Sequence, residues 1–396
     1  MKTTIVPSIP AGIALLLAIS APASAASHHP VFRVDASNPT ADKPQSKTWY
    51  AEGSWWALLP RKSGPSLWQR TASGWREHRE IARSLDGLPG RADVWFDKAG
   101  ATAVVVKDRT LAVLRLRPRG EVPFRWQAHV LAKWTVSPGK PIETATIARE
   151  GTGRWWIAAP VDREVLVWTS ADGSAWSVAS TIASGLDADD ICLVTALPDG
   201  VGVLWSDQQR DGVFLRHHRN GDPPENWDAA EVVETGHRTA DDHLNAALTT
   251  DGTLWVASKN SVDRVGEPQL VLRIRTPAGR WRNIPYANNA TTRSPSRPVV
   301  AVGSDGRMVL YGHTIYDSEL RTRDHIVFGR IGTAEDPPVF GSPMVAIAPA
   351  ATLQSAVNDV TRPKLAFPED APWIVLASDR HGRVYEADLR TLFGNR

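Results

Sequence analysis

Short stretches in which hydrophobic and polar positions alternate recur along the whole chain and predict β-strands. They are rich in Val, Leu, Ile and Trp, and turn pairs such as Asp-Gly separate them. Prolines and glycines, 29 of each, interrupt most runs before a long helix could form. The pattern therefore predicts an all-β protein. The clearest runs are GSWWALLP from Gly53, ATAVVVKD from Ala101, GRWWIAAP from Gly153, GVGVLWSD from Gly200, DGTLWVASK from Asp251, DGRMVLYGH from Asp305 and APWIVLASD from Ala371.

These seven runs are copies of one repeat. Counted from residues 54, 102, 154, 201, 253, 307 and 372, they follow one another at spacings of 48, 52, 47, 52, 54 and 65 residues. A second marker, a tryptophan that opens a short strand after a turn, recurs at spacings of 51, 50, 51 and 54 residues. Two markers with one period of about 50 residues are typical of the four-stranded blades of a β-propeller. The sequence thus predicts a seven-bladed β-propeller, and the second marker comprises Trp75, Trp126, Trp176, Trp227 and Trp281.

The two ends of the chain predict how the propeller closes. The last repeat shows no fourth strand after the run RVYEADL at Arg383, while the run VFRV at Val31 has no partner within its own repeat. We expect the N-terminal strand to become the outer strand of the seventh blade, because this pairing removes the exposed edges of both. Residues 26–396 are then a single domain.

The first 25 residues have the features of a signal peptide. Lys2 precedes an apolar core at 11–19, and Ala23-Ser24-Ala25 has the small residues that signal peptidase prefers. We therefore expect a secreted protein, extracellular or periplasmic. Nine apolar residues are far fewer than the roughly 20 that span a bilayer, so we expect no membrane partner. Cys192 is the single cysteine, so no internal disulfide can form.

Charge and motif searches exclude several classes of function. The formal net charge of +2 gives the chain as a whole no electrostatic reason to bind nucleic acid, and we expect a monomer. The sequence contains no phosphate-binding loop, no His-Glu-x-x-His motif and no cysteine ligand set, so we expect no cofactor and no zinc. Acidic residues that face the channel of a propeller could nevertheless hold a cation such as calcium. The segment SADGSAW, 170–176, is similar to the Asp-box turn of sialidases but is one residue shorter.

The direction of the strands places the candidate site residues on one face of the propeller. In an antiparallel blade, the inner strand begins and the second strand ends on the same face, beside the central channel. Asp242 and His243 begin an inner strand and Lys259 ends the next strand, so they share this face. We predict catalytic roles for His243, Asp242, Asp190 and Arg297. The predicted substrate-binding residues are Lys259, Lys364, Asp93, Arg91, Asp207, Gln208, His313 and, as a platform for sugar rings, Trp205.

Several segments resemble a family of secreted bacterial seven-bladed propellers labelled sialidase-like or BNR-repeat proteins. They include RADVWFD at Arg91, DDICLV at Asp189, ADDHLN at Ala240 and VNDVTRPK at Val357. The sequence departs from the family at Asp207, Ala247 and Pro295, where the family tends to have Asn, Lys and His. The resemblance implies the propeller fold and secretion. Polysaccharide lyases and rhamnosidase-like hydrolases are more distant relatives that use a histidine facing the channel.

Three classes of function remain open on this basis. The favoured class is an enzyme that acts on an extracellular polysaccharide or oligosaccharide. A lyase for uronic acids needs a base and cations, and His243 with Lys259, Arg297 and Lys364 supplies them. A glycoside hydrolase needs two carboxyl groups, for which Asp190 and Asp242 are the candidates. The alternatives are a glycan-binding propeller without catalysis and a platform for protein partners.

Overall fold

The protein is a seven-bladed β-propeller, as the repeat predicts. The computed structural model describes residues 26–119, 125–136, 139–262, 264–288, 295–317, 322–332 and 336–394. The predicted signal peptide lies outside these residues, and it remains a prediction. Seven antiparallel sheets follow one another along the chain, each made of one repeat.

The first four blades each contain four strands in sequence order, from the channel outward. Blade 1 follows β1 (Phe32–Arg33) and contains β2 (Thr48–Ala51), β3 (Ser54–Arg61), β4 (Gly64–Thr71) and β5 (Gly74–Glu77). Blade 2 contains β6 (Arg91–Asp97), β7 (Gly100–Lys107), β8 (Thr110–Arg119) and β9 (Arg125–Thr135). Blade 3 contains β10 (Thr146–Arg149), β11 (Trp155–Val161), β12 (Glu164–Ser170) and β13 (Ser180–Ser184). Blade 4 contains β14 (Cys192–Leu197), β15 (Gly200–Asp207), β16 (Gly212–Arg219) and β17 (Glu231–Thr235).

The last three blades are less regular. Blade 5 contains β18 (Leu244–Leu248), β19 (Leu254–Lys259), β20 (Pro268–Arg275) and β21 (Trp281–Asn288). Blade 6 contains β22 (Ser296–Val302), β23 (Val309–Asp317) and β24 (Thr322–Gly332), and both β25 (Val339–Phe340) and β26 (Met344–Ile347) pair with β24. Blade 7 contains β27 (Ile374–Ser378) and β28 (Arg383–Asp388). Helices α1 (Arg79–Ser84) and α2 (Leu389–Phe393) and a 3-10 turn (Ala351–Leu353) complete the described elements.

The N-terminal strand closes the propeller, which confirms the sequence prediction. Phe32 of β1 pairs with Val384 of β28, and blade 7 has the order β1-β28-β27. The Phe32 ring also stacks on Trp68 of blade 1, with 4.5 Å between the ring centroids. A single bridge between Thr361 and Leu376 takes the place of the inner strand of blade 7. The first strand of the chain therefore completes its last blade.

The core lies between the blades, where each sheet packs on its neighbours. Its largest fully buried side chains include five tryptophans of blades 1 and 3, four of them at corresponding positions of β3 and β11. Burying an aromatic ring of this size supplies much of the apolar contact that holds adjacent sheets together. No helix among the described residues is long and apolar enough to cross a membrane. The five tryptophans are Trp49, Trp55, Trp56, Trp155 and Trp156.

Candidate active site

The chain between β1 and β2, residues 35–47, crosses the mouth of the central channel; we call it the mouth segment. Thr40 Oγ1 donates a hydrogen bond to the backbone oxygen of Asp359 in blade 7, at 2.8 Å. Gln45 Nε2 donates to the backbone oxygen of Ala145, which precedes blade 3, at 3.0 Å. Asn245 of blade 5 donates from Nδ2 to the backbone oxygen of Lys43, at 3.4 Å. Contacts with blades on opposite sides of the channel place this segment across its mouth.

A cleft of about 770 Å³ opens beside the mouth segment; we call it the basic cleft. Arg91 pairs with Asp42 at 2.6 Å, and Arg297 pairs with Asp359 at 3.4 Å. Six basic residues and four acidic residues line the cleft, so its lining carries an excess of positive charge and favours an anionic ligand. The basic residues are Lys43, Arg61, Lys62, Arg91, Lys107 and Arg297, and the acidic residues are Asp42, Asp108, Glu143 and Asp359.

Arg297 reaches the basic cleft from an irregular part of blade 6. The pairing of β22 with β23 shifts register between Ser296 and Val299. Arg297 there has a φ of 54°, a left-handed conformation that is uncommon for a residue other than glycine. Bulges of this kind turn a side chain away from the direction that the strand would give it, and they are frequent at functional sites.

A carboxylate–histidine cluster, formed by Asp241, Asp242 and His243, lies at the start of β18. His243 Nδ1 is 2.5 Å from Oδ1 of Asp241 and 2.5 Å from Oδ1 of Asp242. The imidazole is buried, and its other nitrogen, Nε2, has no hydrogen-bond partner among the described residues. A carboxylate that accepts from Nδ1–H leaves the lone pair on Nε2, which is the tautomer that a general base requires.

Two lysines balance the charge of the carboxylate–histidine cluster. Lys259 Nζ lies 2.8 Å from Asp241 Oδ2, which also accepts a hydrogen bond from Ser261 Oγ at 3.1 Å. Lys43 Nζ pairs with Asp242 Oδ2 and lies 3.7 Å from Glu143. Because Lys43 also lines the basic cleft, it is the side chain that the cleft and the cluster share.

Asp242 of the cluster differs in its pKa from a neighbour on blade 4. Burial by itself would raise the pKa of Asp242, but the hydrogen bond from His243 and the charge of Lys43 outweigh it and hold this pKa well below its usual range. Asp189 of blade 4 lies close enough to Asp242 and Lys43 for their charges to act on its carboxyl group. Burial, followed by the negative charge of Asp242, raises the pKa of Asp189. Asp242 is thus held in its ionised form beside His243.

Asp190 has a different environment from Asp242, although both were predicted to be catalytic. Its Oδ2 accepts from the backbone N–H of Asp187 at 2.7 Å, and Gln208 N–H lies 3.1 Å from both carboxylate oxygens. Ser206 Oγ donates to Oδ1 at 3.1 Å. Burial raises the pKa of Asp190. These bonds tie the loop before β14 to the end of β15, so the structure gives Asp190 a clear role in holding the loop.

Asp207 and Gln208, predicted to bind substrate, belong to the same loop system. Asp207 is fully buried, and its Oδ1 accepts from the backbone N–H of Arg210 at 2.9 Å. Its Oδ2 pairs with the Arg210 side chain at 2.8 Å. Gln208 donates its backbone N–H to Asp190, while its own Nε2 is buried without a partner among the described residues. Neither residue lines the basic cleft.

Asp93 and Lys364 meet below the mouth, inside the channel. Lys364 Nζ lies 2.6 Å from Asp93 Oδ2. The same carboxylate accepts from the backbone N–H of Ser46 at 2.8 Å and of Ile147 at 2.7 Å, so it ties the mouth segment to blades 2 and 3. Burial lowers the pKa of Lys364. Lys47 is also buried in the channel, where burial lowers its pKa to about 8.

Trp205 and His313 lie inside the blades. Trp205 is 3% exposed and stacks on Phe214, with 5.7 Å between the ring centroids. It therefore offers no open platform to a sugar ring. His313 is fully buried against Tyr286, and its Nδ1 lies 3.1 Å from the backbone oxygen of Thr314. Burial lowers the pKa of His313 to about 4, so the ring is neutral near pH 7.

The structure thus brings only part of the predicted site together. Arg91 and Arg297 line the basic cleft, and Asp242, His243 and Lys259 form the adjoining cluster. Sequence reasoning missed Lys43, Asp42 and Glu143. Lys43 and Asp42 lie in a segment without strand periodicity, so their only signal was charge beside the closing strand. The remaining predicted residues lie in loops, in the channel or within blades: Asp93, Asp190, Lys364, Asp207, Gln208, Trp205 and His313.

The three residues of the cluster also offer ligand atoms within 4.8 Å of one another, as a metal site would. Lys43 and Lys259 already neutralise the two carboxylates, and the imidazole Nδ1 bonds to both of them. Calcium prefers six to eight oxygen ligands, more than this set supplies. The arrangement therefore does not fit a calcium ion, and the chemistry below uses none.

Comparisons with known proteins show the fold. No protein-family model matches the sequence, and no curated protein matches it. A polysaccharide lyase described as a PL25 ulvan lyase, bound to -[GlcA(1-4)Rha3S]-, superimposes with a TM-score of 0.52 and 12% identity over 90% of this chain and 94% of the lyase. A structure of a PL25 ulvan lyase without that ligand gives 0.50 over the same shares, again with 12% identity. The α-L-arabinanase of Penicillium chrysogenum with arabinobiose gives 0.47 and 12% identity over 73% of this chain and 93% of that one. At these identities the likeness establishes the propeller fold, and the reaction has to be argued from the site.

Proposed function

We propose that this protein is an exported carbohydrate-active enzyme, a lyase that cleaves uronate-containing polysaccharides by β-elimination. The observation that carries the proposal is the environment of His243. Two carboxylate oxygens lie 2.5 Å from Nδ1, while Nε2 is buried without a partner among the described residues. This is the arrangement of a general base whose tautomer and orientation are fixed by a carboxylate.

The reaction assigns one task to His243 Nε2. It removes the proton from the carbon beside the carboxylate of the uronate, and the glycosidic bond to the next carbon then breaks. The electron pair of the broken C–H bond forms the new double bond, while the leaving oxygen takes the electrons of the glycosidic bond and a proton. We assign the supply of this proton to Asp189, an acid of blade 4 that lies near Asp242 and whose pKa burial and Asp242 raise.

The carbanion-like transition state requires a cation beside the uronate carboxylate. Lys43 is best placed to provide it, because it borders both the basic cleft and the cluster. We propose that the uronate carboxylate replaces Asp242 as the partner of Lys43. The Lys43 side chain then turns toward the substrate and gives the substrate access to Nε2. Arg91 and Arg297 bind neighbouring acidic groups in the cleft.

The hydrolase alternative has weaker support. It pairs Asp190 with Asp242, and hydrolysis requires both carboxyl groups to face the sugar. Each oxygen of Asp190 already accepts hydrogen bonds from its own loop or from Ser206. The ulvan lyase with the same fold carries a glucuronate-containing ligand, so a propeller of this size can bind a polysaccharide of the proposed class.

The test is to incubate the purified protein with polygalacturonate, alginate and other uronate polysaccharides and to record ultraviolet absorbance. β-Elimination generates an unsaturated, absorbing product, whereas hydrolysis releases reducing sugar without it. We expect absorbance to rise with the unmodified protein and to fall to background with His243→Ala. Lys98→Ala, an exposed lysine in the β6–β7 turn on the opposite face, is the control and should retain full activity.

Other outcomes of this assay would indicate a different function. Reducing sugar without absorbance would move the reaction to hydrolysis. Glycan binding without either signal would favour the lectin-like alternative. An unchanged rate in His243→Ala would contradict the proposed base and make the carboxylate–histidine cluster structural.

A further inference from the structure

A second depression lies at the outer edge of the propeller, between blades 2 and 3; we call it the outer tryptophan pocket. Its volume is about 440 Å³. Trp134, near the end of β9, packs between Trp168 of β12 and Trp176 of the Asp-box turn. The ring centroids of Trp134 and Trp176 are 5.9 Å apart and the rings are stacked, while Trp168 tilts against Trp134 at 6.1 Å.

Two rings of this aromatic group are partly open to solvent. In the next blade pair only the half-buried Trp227 is, because it packs with the buried His218 on Trp156, which is 1% exposed. In the outer tryptophan pocket, Trp134 and Trp176 are half-buried, and the adjacent Val178 is 87% exposed. An open aromatic surface with a polar border is the usual form of a site that binds the apolar face of a ring.

A third, smaller depression of about 190 Å³ connects this pocket with the basic cleft. Lys62, Lys107 and Asp108 line both the basic cleft and the small depression. Lys133 lines both the small depression and the outer tryptophan pocket. The three spaces therefore form one continuous groove along the edge of blade 2, from the channel mouth to the rim.

The strands of blade 2 explain why the groove is continuous. Lys107 ends the second strand β7, Thr110 begins the third strand β8, and Lys133 lies near the end of the fourth strand β9. Thr110 pairs with Thr135, so these positions are adjacent across the sheet. All of them lie on the face of the channel mouth, and each successive strand carries the groove further from the centre.

The charges of the groove match a polyanion. Lys107 and Lys133 are exposed and make no ion pair within the described part of the chain, whereas Lys62 pairs with Asp35 at 2.9 Å near the surface. Among the described residues that line the two outer depressions, Asp108 is the single acid. Unpaired surface lysines in a row attract a chain of negative charges in a manner that salt screens.

We propose that the edge of blade 2 is a binding groove for an extended acidic polysaccharide, which runs from the basic cleft over Lys107 and Lys133 to a sugar ring stacked on the outer tryptophan pocket. This inference extends the proposed function, because it names how sugars distant from the reacting bond are held. Contacts at both ends of the groove raise the affinity for long chains over short ones, since the second contact forms within the complex.

The test is affinity electrophoresis in gels that contain polygalacturonate, alginate or chondroitin sulfate, with neutral dextran as the comparison. We expect the acidic polymers to retard the unmodified protein at low salt and dextran to leave it unchanged. Lys107→Ala combined with Lys133→Ala, and separately Trp176→Ala, should each weaken retardation by about 3- to 10-fold, the range expected for two lost surface charge contacts or one lost stacking contact. Salt should reduce the effect of the lysines more than that of Trp176.

The controls are Lys98→Ala on the opposite edge of blade 2 and Trp227→Ala at the equivalent repeat position of blade 4, both with unchanged retardation. Equal retardation of the groove variants and the unmodified protein would overturn the proposal, even if the lyase assay succeeds. So would the absence of retardation by all three acidic polymers. If the groove variants weaken retardation but no absorbing product forms, the groove stands and the proposed lyase reaction fails.

Discussion

Blades 4 and 5 begin with nearly the same sequence and use it differently. The segment Ala188-Asp189-Asp190 precedes Ile191 in blade 4, and Ala240-Asp241-Asp242 precedes His243 in blade 5. In blade 4, Ile191 is buried in the core and Asp190 accepts hydrogen bonds from the backbone of its own loop system. In blade 5, both carboxylates face His243 and each pairs with a lysine.

The comparison shows what converts a turn into a candidate site. Aspartates at strand starts commonly bond to nearby backbone N–H groups, as Asp190 does. In blade 5 the carboxylates find side-chain partners instead: the imidazole of His243, Lys259 from the adjacent strand and Lys43 from the mouth segment. The proposed function therefore depends on the residue after the acidic pair and on a segment more than 190 residues earlier in the chain.

The largest expected effect comes from making blade 5 resemble blade 4. His243→Ile should lower the lyase rate by about 10²- to 10⁴-fold, the usual contribution of a general base. It should also lower the melting temperature, because Ile cannot donate the Nδ1–H bond that the carboxylates of Asp241 and Asp242 accept. Initial rates by absorbance, divided by the folded fraction from a thermal melt, check this. A rate per folded molecule equal to that of the unmodified protein would assign His243 to the fold.

A second prediction concerns His313, a buried histidine that, unlike His243, has no carboxylate partner among the described residues. Burial lowers the pKa of His313 to about 4 from its ordinary value near 6.5, so between these values the unfolded chain binds a proton that the folded protein does not. The free energy of unfolding should fall by about 3 kcal/mol as pH decreases from 6.5 to 4 and should be insensitive to this group below pH 4. Denaturant titrations of His313→Leu should lack this loss, whereas His29→Leu, an exposed control, should retain it. Equal pH dependence in both variants would contradict it.

A third prediction tests the structural use of the acidic pair in blade 4. Asp190→Ala leaves the N–H groups of Asp187 and Gln208 without their acceptor and should destabilise the protein by about 2 kcal/mol. The rate per folded molecule should stay the same. Asp190→Asn keeps an acceptor oxygen and should recover most of the stability in a denaturant titration. A fall in rate without a fall in stability would return Asp190 to the catalytic set.

The smallest expected effects come from two serines that bond to the acidic pairs, Ser206 in blade 4 and Ser261 in blade 5. Ser206 is buried, and its hydroxyl donates to Asp190 and accepts from the N–H of Ile191 at 3.0 Å. Ser206→Ala should cost about 1 kcal/mol in the free energy of unfolding and leave the rate unchanged. Ser261→Ala removes a bond to Asp241 and should alter the rate a few-fold with little change in stability. If Ser206→Ala changed the rate and Ser261→Ala lowered the free energy of unfolding, the distinction between blades 4 and 5 would be wrong.

The fold could be predicted well from the sequence because the same repeat occurs seven times along the chain. A hydrophobic run and a tryptophan mark corresponding strands in successive blades, so an error at one position does not change the result. The missing fourth strand of the last repeat even predicted the partner of Val31, whose N–H donates to Val384 at 2.8 Å. Periodicity is a property of short segments, and short segments determine strands.

The candidate site was predicted less completely because its contacts are not periodic. Strand direction placed His243 and Lys259 on one face, but it could not tell whether a carboxylate would bind a side chain or a backbone N–H, as Asp242 and Asp190 do. The position of Lys43 depends on where the mouth segment, which has no regular strand periodicity, crosses the channel. Trp205 looked like a rim residue, yet the neighbouring sheet covers it.

Closure by β1 has a consequence for how the chain folds. Phe32 pairs with Val384, so about 350 residues separate the two partners of the seam. Contacts of such long range form late, because the entropy of closing a large loop must be overcome before they contribute. During synthesis, β1 leaves the ribosome first and its partner strand leaves last. Folding of this protein is therefore expected to end at the seam, and until then the edge of β28 that β1 covers is open to other chains.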